Sequence, residues 1–171
     1  LAQMEREVVA NGLNLLSAPD GACGSMTSGG SESIFLAIKT ARDFARAAGK
    51  AKARANIVVA KSAHLAFDKA AHIMDLEIRR IPVSRETGYA ADPDLMAAAM
   101  DDATIMLVGS APCFPFGIID PISALGALAL KKNVWLHVDA CVGGYFAPFA
   151  RMNGTPMADF DFAVPGVISI S

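Results

Sequence analysis

The sequence predicts an α/β domain built on a mostly parallel sheet with helices on both faces. Short apolar runs of strand length alternate with longer amphipathic stretches of helix length along most of the 171-residue chain. Such alternation favours parallel strands joined by right-handed helical crossovers. Hydrophobic residues make up 53% and charged residues 19% of the chain, which argues against a disordered polymer and allows one domain with a real core.

Each predicted element follows from a local pattern. Apolar residues recur at helical spacing near the start of the chain, and Asp92 and Pro93 are typical of a helix cap and first turn. Helices are expected at 1–16, 31–48, 62–74, 92–100 and 121–131. Strands are expected at 56–60, 77–83, 104–109 and 134–139, and weaker patterns predict short strands at 22–27, 160–164 and 167–171.

Composition and charge exclude several classes of protein. The net charge of -2 argues against a nucleic-acid surface, so Lys50, Lys52 and Arg54 are interpreted as a solvated helix end. Three widely spaced cysteines form no zinc or disulfide pattern, which favours a reducing, intracellular setting. No apolar run is long enough for a membrane span, and no signal peptide is visible. Because both ends interrupt patterned segments, we interpret the sequence as a fragment of a longer chain.

The segment 27–33, Thr-Ser-Gly-Gly-Ser-Glu-Ser, is the first candidate site. Adjacent glycines let the backbone approach a ligand, and a helix that begins here directs free N–H groups and its positive dipole end to the same place. That combination suits a phosphate. A plain capping turn, with Ser28 or Ser31 as the cap and Glu32 in the first turn, is the alternative interpretation. The segment lacks the signature of a Walker loop and that of a dinucleotide-binding loop.

Three other polar residues lie where predicted strands end, the edge at which open α/β sheets bind ligands. Asp139 either caps the following turn or holds a cationic ligand atom such as a protonated pyridine nitrogen. His64, after the strand at 56–60, either stacks on an aromatic cofactor or is an ordinary surface or core histidine. Ser110 follows the strand at 104–109. His137 is interpreted as structural, with support of Asp139 as a weaker alternative.

The order of these features resembles that of the fold-type-I pyridoxal-phosphate enzymes of the group II decarboxylase family, and most closely the sphingosine-phosphate lyase branch. The resemblance runs nearly end to end. It departs from the family pattern at Phe116, where lyase relatives often carry His, and at Ser31, where Thr is common. The motifs that carry it lie at 26–34, 62–64, 67–71, 114–117, 120–121, 137–141, 143–144 and 166–171.

The resemblance implies that the chain binds pyridoxal 5'-phosphate. Gly30 and Ser31, with Ser28 and Gly29 nearby, would bind the phosphate group. The resemblance implies no metal.

Four further residues would surround the ring. His64 would stack on the pyridine and Asp139 would pair with its nitrogen; these two are the expected catalytic residues. Cys141 would lie against the other ring face, and Ser110 would support the site by hydrogen bonding. The Schiff-base lysine of the family would follow about five residues past Ser171, outside the chain.

The resemblance also implies an activity and an organisation. The leading expectation is a carbon–carbon lyase that cleaves a phosphorylated long-chain amine, a small-molecule substrate, to an aldehyde and phosphoethanolamine. An amino-acid decarboxylase for glutamate or an aromatic amino acid, and an inactive fragment that keeps only part of the cofactor pocket, are the alternatives. Residues 1–171 would be part of the cofactor-binding large domain, without an N-terminal segment, the lysine segment and a C-terminal small domain. The full-length protein is expected to be a cytoplasmic homodimer, with a membrane anchor in the N-terminal segment left open.

Overall fold

The computed structural model describes residues 1–50 and 54–171, and in these residues five parallel strands form one sheet in the order β2-β1-β3-β4-β5. Lys52 of the predicted basic helix end lies outside the described residues. The strands are β1 (Asn56–Ala60), β2 (Glu77–Ile81), β3 (Thr104–Ser110), β4 (Trp135–Asp139) and β5 (Val167–Ile170). The helices are α1 (Ala2–Leu15), α2 (Gly30–Ala47), α3 (Ala66–Ile73), α4 (Pro93–Ala99), α5 (Ile122–Lys132) and α6 (Phe146–Met152).

Helices cover both faces of the sheet, as predicted. Every residue of β1 and of β3 is buried, which explains why these strands read as continuous apolar runs rather than alternating ones. One core lies between the sheet and α2 and α3, with Phe67 at its centre. The other lies beneath α4, α5 and α6, with Met96 and Leu125 fully buried.

Strand register brings the functional candidates to one edge. Ser110 at the end of β3 is the direct partner of Asp139 at the end of β4. In the next pair, Val138 of β4 is opposite Ile170 of β5. The carboxyl ends of the three strands are therefore adjacent, and residues that end them are within reach of one ligand.

Several local predictions are confirmed, two strands are wrong, and the helix expected at 62–74 begins only at Ala66. Asp92 caps α4, since its Oδ1 accepts hydrogen bonds from the backbone N–H groups of Asp94 at 2.9 Å and Leu95 at 3.1 Å. Residues 22–27 and 160–164, all within the described part, form no strand. In the second segment the Asp161 carboxylate accepts the Ala163 N–H at 2.9 Å and closes a turn, so the buried apolar residues there reach the core from a loop.

Helix α6 was not expected from the sequence. No helix in the described parts of the chain has the length and apolar character that crossing a membrane requires.

Candidate active site

A cavity of about 220 Å³ at the carboxyl edge of the sheet brings together six of the eight predicted site residues. The six are Gly30, Ser31, His64, Ser110, Asp139 and Cys141. The rest of its lining is apolar and includes Phe114 and Val142, which the sequence did not assign to a site. Ser28 and Gly29 are not part of the lining. Four segments distant in sequence thus meet at one concave surface.

The glycine turn leads into α2 without a side-chain cap and leaves free amide groups beside the cavity. The backbone N–H and the hydroxyl of Ser28 both donate to the Glu32 carboxylate at 2.6 Å, and these hydrogen bonds lower the pKa of Glu32. The N-cap of α2 is Gly29 and no side chain caps the helix, so the expectation that Ser28 or Ser31 serves as the cap is wrong, although Glu32 does lie in the first turn. The first N–H groups of α2 have no intrahelical acceptor, and Gly30 and Ser31 in that first turn line the cavity. An anion at this place would accept those hydrogen bonds and face the positive end of the helix dipole.

Gly30 packs directly against Cys141. A Cβ atom added at Gly30 would lie 3.0 Å from the Cys141 sulfur and 3.4 Å from its Cβ, closer than nearly all real contacts of that kind. The absence of a side chain at this position therefore allows the glycine turn to approach the end of β4. The thiol in turn sets the distance between the two segments.

Asp139 is a buried carboxylate without a cationic partner among the described residues. It is 7% exposed, and its Oδ1 accepts the Cys141 backbone N–H at 3.2 Å. The strand pairing fixes its backbone, since the Ala111 N–H donates to the Asp139 carbonyl at 2.8 Å. A buried charge that lacks an opposite charge is costly, so this position fits a cationic group of a ligand.

Cys141 is suited to packing and not to nucleophilic chemistry. Although the residue as a whole is exposed, desolvation of its thiol by neighbouring groups and the nearby Asp139 charge raise its pKa to about 11. Near neutral pH the group is therefore an uncharged thiol, a weak nucleophile with a polarizable surface.

His64 is held in one orientation by α3. Its Nδ1 accepts the Ala66 backbone N–H at 3.1 Å, so in the neutral ring the hydrogen resides on Nε2. The imidazole meets the Phe114 ring edge-on, with centroids 5.4 Å apart and planes at 68°. His64 thus presents an oriented aromatic surface and an N–H donor at the cavity.

The loop that carries His64 is tied down by Arg80 of β2. This guanidinium forms an ion pair with Asp68. It also donates to four backbone carbonyl oxygens between 3.1 and 3.3 Å, those of Ala60, Lys61, Ala63 and His64. A planar fork with five donors is well suited to so many acceptors, and a lysine would not reproduce it.

Ser110 is positioned by a buried carboxylate. Its backbone N–H donates to Asp120 Oδ2 at 2.7 Å, and the Ala91 N–H donates to Oδ1 at 2.8 Å. Burial raises the pKa of Asp120, while these two hydrogen bonds act in the opposite direction. With its backbone fixed in this way, the Ser110 side chain lines the cavity beside Asp139.

A hydrogen-bonded chain behind the cavity was missed at the sequence level. His137 is fully buried, with Nδ1 2.8 Å from the Ser169 hydroxyl and Nε2 3.0 Å from the Ser171 hydroxyl. Trp135 Nε1 donates to Ser169 at 2.7 Å, and the Cys141 thiol donates to Ser171 Oγ at 3.4 Å. The sequence contained a signal in the alternation of its residues. Positions 135, 137 and 139 share one face of β4, and Ser169 of β5 is two residues before Ser171, which follows the strand.

Known proteins resemble this chain over nearly its whole length. The family model described as the pyridoxal-dependent decarboxylase conserved domain matches residues 1–170. The chain is 48% identical over 176 residues to a sphingosine-1-phosphate lyase of Oryza sativa subsp. japonica, an alignment that covers 100% of this chain and 32% of the relative. The chain thus spans about a third of the length of such relatives.

Two solved structures share this fold over nearly the whole chain. A sphingosine-1-phosphate lyase of Burkholderia pseudomallei superposes with a TM-score of 0.92 at 42% identity, covering 99% of this chain and 40% of that one. A glutamate decarboxylase of Lactobacillus brevis superposes with a TM-score of 0.87 at 28% identity, with the same two coverages.

Proposed function

Because the chain belongs to the pyridoxal-dependent decarboxylase family, we propose that its full-length protein is a pyridoxal-phosphate-dependent carbon–carbon lyase. Its substrate would be a phosphorylated long-chain amine, cleaved to an aldehyde and phosphoethanolamine. The observation that carries the proposal is the cavity in which the first turn of α2, His64 and Asp139 meet. Similarity to sphingosine-1-phosphate lyases over the whole chain supports the choice of substrate class.

The residues around the cavity fit pyridoxal 5'-phosphate. The free N–H groups in the first turn of α2, at Gly30 and Ser31, suit the phosphate. The Asp139 carboxylate, buried and without a cation beside it, suits a protonated ring nitrogen. The flat surface of the His64 imidazole suits one face of the ring, and Cys141 would close the other.

When bound, the cofactor supplies an electron sink for cleavage of a bond next to the amine-bearing carbon. Asp139 would hold a proton on the ring nitrogen, because a carboxylate beside that atom favours its charged form. The first turn of α2 would anchor the phosphate and so fix the ring relative to the sheet. Ser110 would add a hydrogen bond near Asp139, and the Nε2–H of His64 would remain available as a donor.

An amino-acid decarboxylase is the second candidate. The close superposition on a glutamate decarboxylase favours it, because the fold is compatible with both reactions. The two candidates differ in the bond that breaks, which is Cα–Cβ in the lyase and the bond from Cα to the carboxylate in the decarboxylase.

The experiment is a product analysis of the full-length protein. Purified protein is loaded with pyridoxal 5'-phosphate, and an absorbance band at roughly 410–430 nm reports the lysine-bound cofactor. It is then supplied separately with sphingosine 1-phosphate, glutamate and an aromatic amino acid. Release of a long-chain aldehyde supports the lyase, and release of carbon dioxide supports the decarboxylase. A full-length protein that neither develops the band nor binds the cofactor contradicts both.

The chain alone is a useful companion sample. We expect residues 1–171 to develop no such band, because the proposed lysine segment lies outside them, and to be inactive in isolation. Activity of this chain by itself would contradict the proposal that the lysine, the rest of the large domain and a small domain lie outside residues 1–171.

We further propose that the full-length protein is a cytoplasmic homodimer. Helix α6 and the turn before it expose large apolar side chains, including Phe146 at 74% and Met152 at 73%, and such a patch favours burial against another surface. The free cysteines fit a reducing compartment. Light scattering of the full-length protein and its distribution after cell fractionation are the corresponding measurements.

A further inference from the structure

The hydrogen-bonded chain through His137 connects the interior of the sheet to the wall of the cavity. It begins at Trp135 Nε1, passes through the Ser169 hydroxyl to His137 Nδ1, and continues from Nε2 to Ser171. Ser171 Oγ lies 3.4 Å from the Cys141 sulfur. Since Cys141 contacts Gly30 and hydrogen-bonds Asp139 through its backbone, the chain ends at a residue that contacts both sides of the proposed cofactor site.

The donors and acceptors give this chain a direction. An indole N–H only donates, so Trp135 occupies one lone pair of Ser169, and the Ser169 hydroxyl hydrogen is then best used on His137 Nδ1. The neutral imidazole consequently carries its hydrogen on Nε2 and donates it to Ser171. The opposite tautomer would place two N–H donors on Ser169 and leave the Ser169 hydroxyl hydrogen without an acceptor among the described residues, whereas in the assigned tautomer the Ser171 hydroxyl hydrogen can turn to the Cys141 sulfur, a weak acceptor.

We infer that His137 is a positioning residue of the candidate active site, whose Nε2–H holds the Ser171 hydroxyl beside the Cys141 thiol and so fixes the wall between the glycine turn and Asp139. The inference deepens the proposed function and rests on it for the identity of the ligand. His137 itself does not reach the cavity: it is fully buried, its ring packs edge-on to Phe67 at 6.1 Å, and its effect on the site passes through Ser171.

Two substitutions of His137 test its hydrogen bonds to Ser169 and to Ser171 separately. Asn reaches about as far as Nδ1 and keeps a bond to Ser169, whereas Gln is one methylene longer and reaches the place of Nε2 and Ser171. In the full-length protein we expect His137→Asn to raise the Kd for pyridoxal 5'-phosphate about 3- to 10-fold, the effect of one lost hydrogen bond, and His137→Gln to stay near the parent.

Ser171→Ala and Ser169→Ala form a second pair that leaves the buried ring in place, which keeps the test decisive if the histidine variants fold poorly. Ser171→Ala should reproduce the weaker cofactor binding, and Ser169→Ala should bind the cofactor like the parent. If these residues had only a structural role, both variants of each pair would lose thermal stability, and the two variants would bind the cofactor with the same affinity.

Alkylation of Cys141 in the cofactor-free protein provides a readout that does not depend on the proposed function. At about pH 9 the reacting species is the thiolate, and the Ser171 hydroxyl stabilises it by turning to donate to the sulfur. We expect His137→Asn and Ser171→Ala to slow alkylation about 3- to 10-fold, with His137→Gln and Ser169→Ala unchanged. Equal alkylation rates within each pair overturn the inference. A parent that binds no pyridoxal 5'-phosphate overturns the proposed function instead, and the alkylation rates still decide the role of His137.

Discussion

The two edges of the sheet each present an aspartate, and the two carboxylates are in opposite situations. At the amino edge Asp101 is exposed to solvent, yet it accepts hydrogen bonds from Asn56 at 2.8 Å and from Arg79 at 2.7 Å. These partners, with Asn56 first, hold its pKa well below the usual range. At the carboxyl edge Asp139 is buried, and among the described residues its side chain accepts a hydrogen bond from the Cys141 backbone and has no cation beside it.

The difference supports the proposal that the carboxyl edge binds a ligand. The carboxylate that water could solvate is supplied with partners by the protein, and the carboxylate that water reaches poorly is not. A fold that completes the hydrogen bonds of one and leaves the other incomplete beside a cavity favours the proposal that the second pairs with a group that is not part of this chain. Substitutions at the two edges can break or sharpen this contrast.

Asp139→Asn should have the largest effect. In the full-length protein we expect kcat to fall about 100-fold or more, because the amide cannot hold a proton on the ring nitrogen and the charge complementarity of the site is lost. Turnover of the substrate identified by product analysis is the measurement.

Asp101→Asn is the matched control from the opposite edge. We expect it to lower the Tm, since it weakens the pair with Arg79, and to leave kcat unchanged. Comparable losses of kcat in both variants would contradict the contrast, because the amino-edge carboxylate would then matter for turnover as much as the carboxyl-edge one.

Gly30→Ala should have the next largest effect, because its new methyl group would lie 3.0 Å from the Cys141 sulfur. We expect the Kd for pyridoxal 5'-phosphate to rise about tenfold as the first turn of α2 is pushed away from β4. The double variant Gly30→Ala with Cys141→Ala removes the sulfur and should recover most of the affinity. If the second substitution gives no recovery, the methyl group disturbs the cofactor site directly and not through the thiol.

Much of the fold and of the candidate site could be predicted from the sequence, for physical reasons. The apolar runs located β1, β3 and β4 because strands buried on both faces have few alternatives, and strand ends located His64, Ser110 and Asp139. The partners of those residues were not predictable in the same way. Arg80 reads as an ordinary charged residue in a strand, and only the packed loop reveals that it binds four carbonyl groups.

The predictions that were wrong or incomplete also have specific physical causes. Residues 160–164 carry the apolar pattern of a strand, yet the Asp161 side chain closes a turn there, a competition between side chain and backbone that periodicity does not detect. His137 looked like an isolated core histidine because its partners Ser169 and Ser171 lie more than thirty positions away in sequence.

Arg80→Lys should have a smaller effect on the site. Because lysine cannot bond the carbonyls of the His64 loop in the same geometry, we expect a rise of about threefold in the cofactor Kd. Arg79 is adjacent on β2 and bonds Glu77, Asp101 and the Ala99 carbonyl at the amino edge. Arg79→Lys should therefore lower the Tm and leave the cofactor Kd as it is. A shift of the Kd in both variants would show that affinity follows general stability of β2.

The smallest effect is a dependence of stability on pH that originates at His137. Burial lowers the pKa of this imidazole to about 3, compared with 6.5 for an ordinary histidine. Between these values the unfolded chain binds a proton that the folded chain does not, so the free energy of unfolding decreases as the pH falls from about 6.5, by at most about 1.4 kcal/mol per pH unit. His137→Gln does not titrate, and we expect the stability gap between parent and variant to narrow by up to about 2 kcal/mol between pH 7 and pH 5.

Urea unfolding of the full-length parent and the Gln variant at both pH values measures this gap. The contribution of Asp120, whose raised pKa acts in the opposite direction, is common to both proteins and cancels. A gap that stays constant would mean that His137 takes up its proton while folded, and that the chain from Trp135 to Cys141 is open to water. Water would then reach the residues behind the cavity, as it reaches the amino edge. The two edges would differ only at Asp139 and the cavity itself.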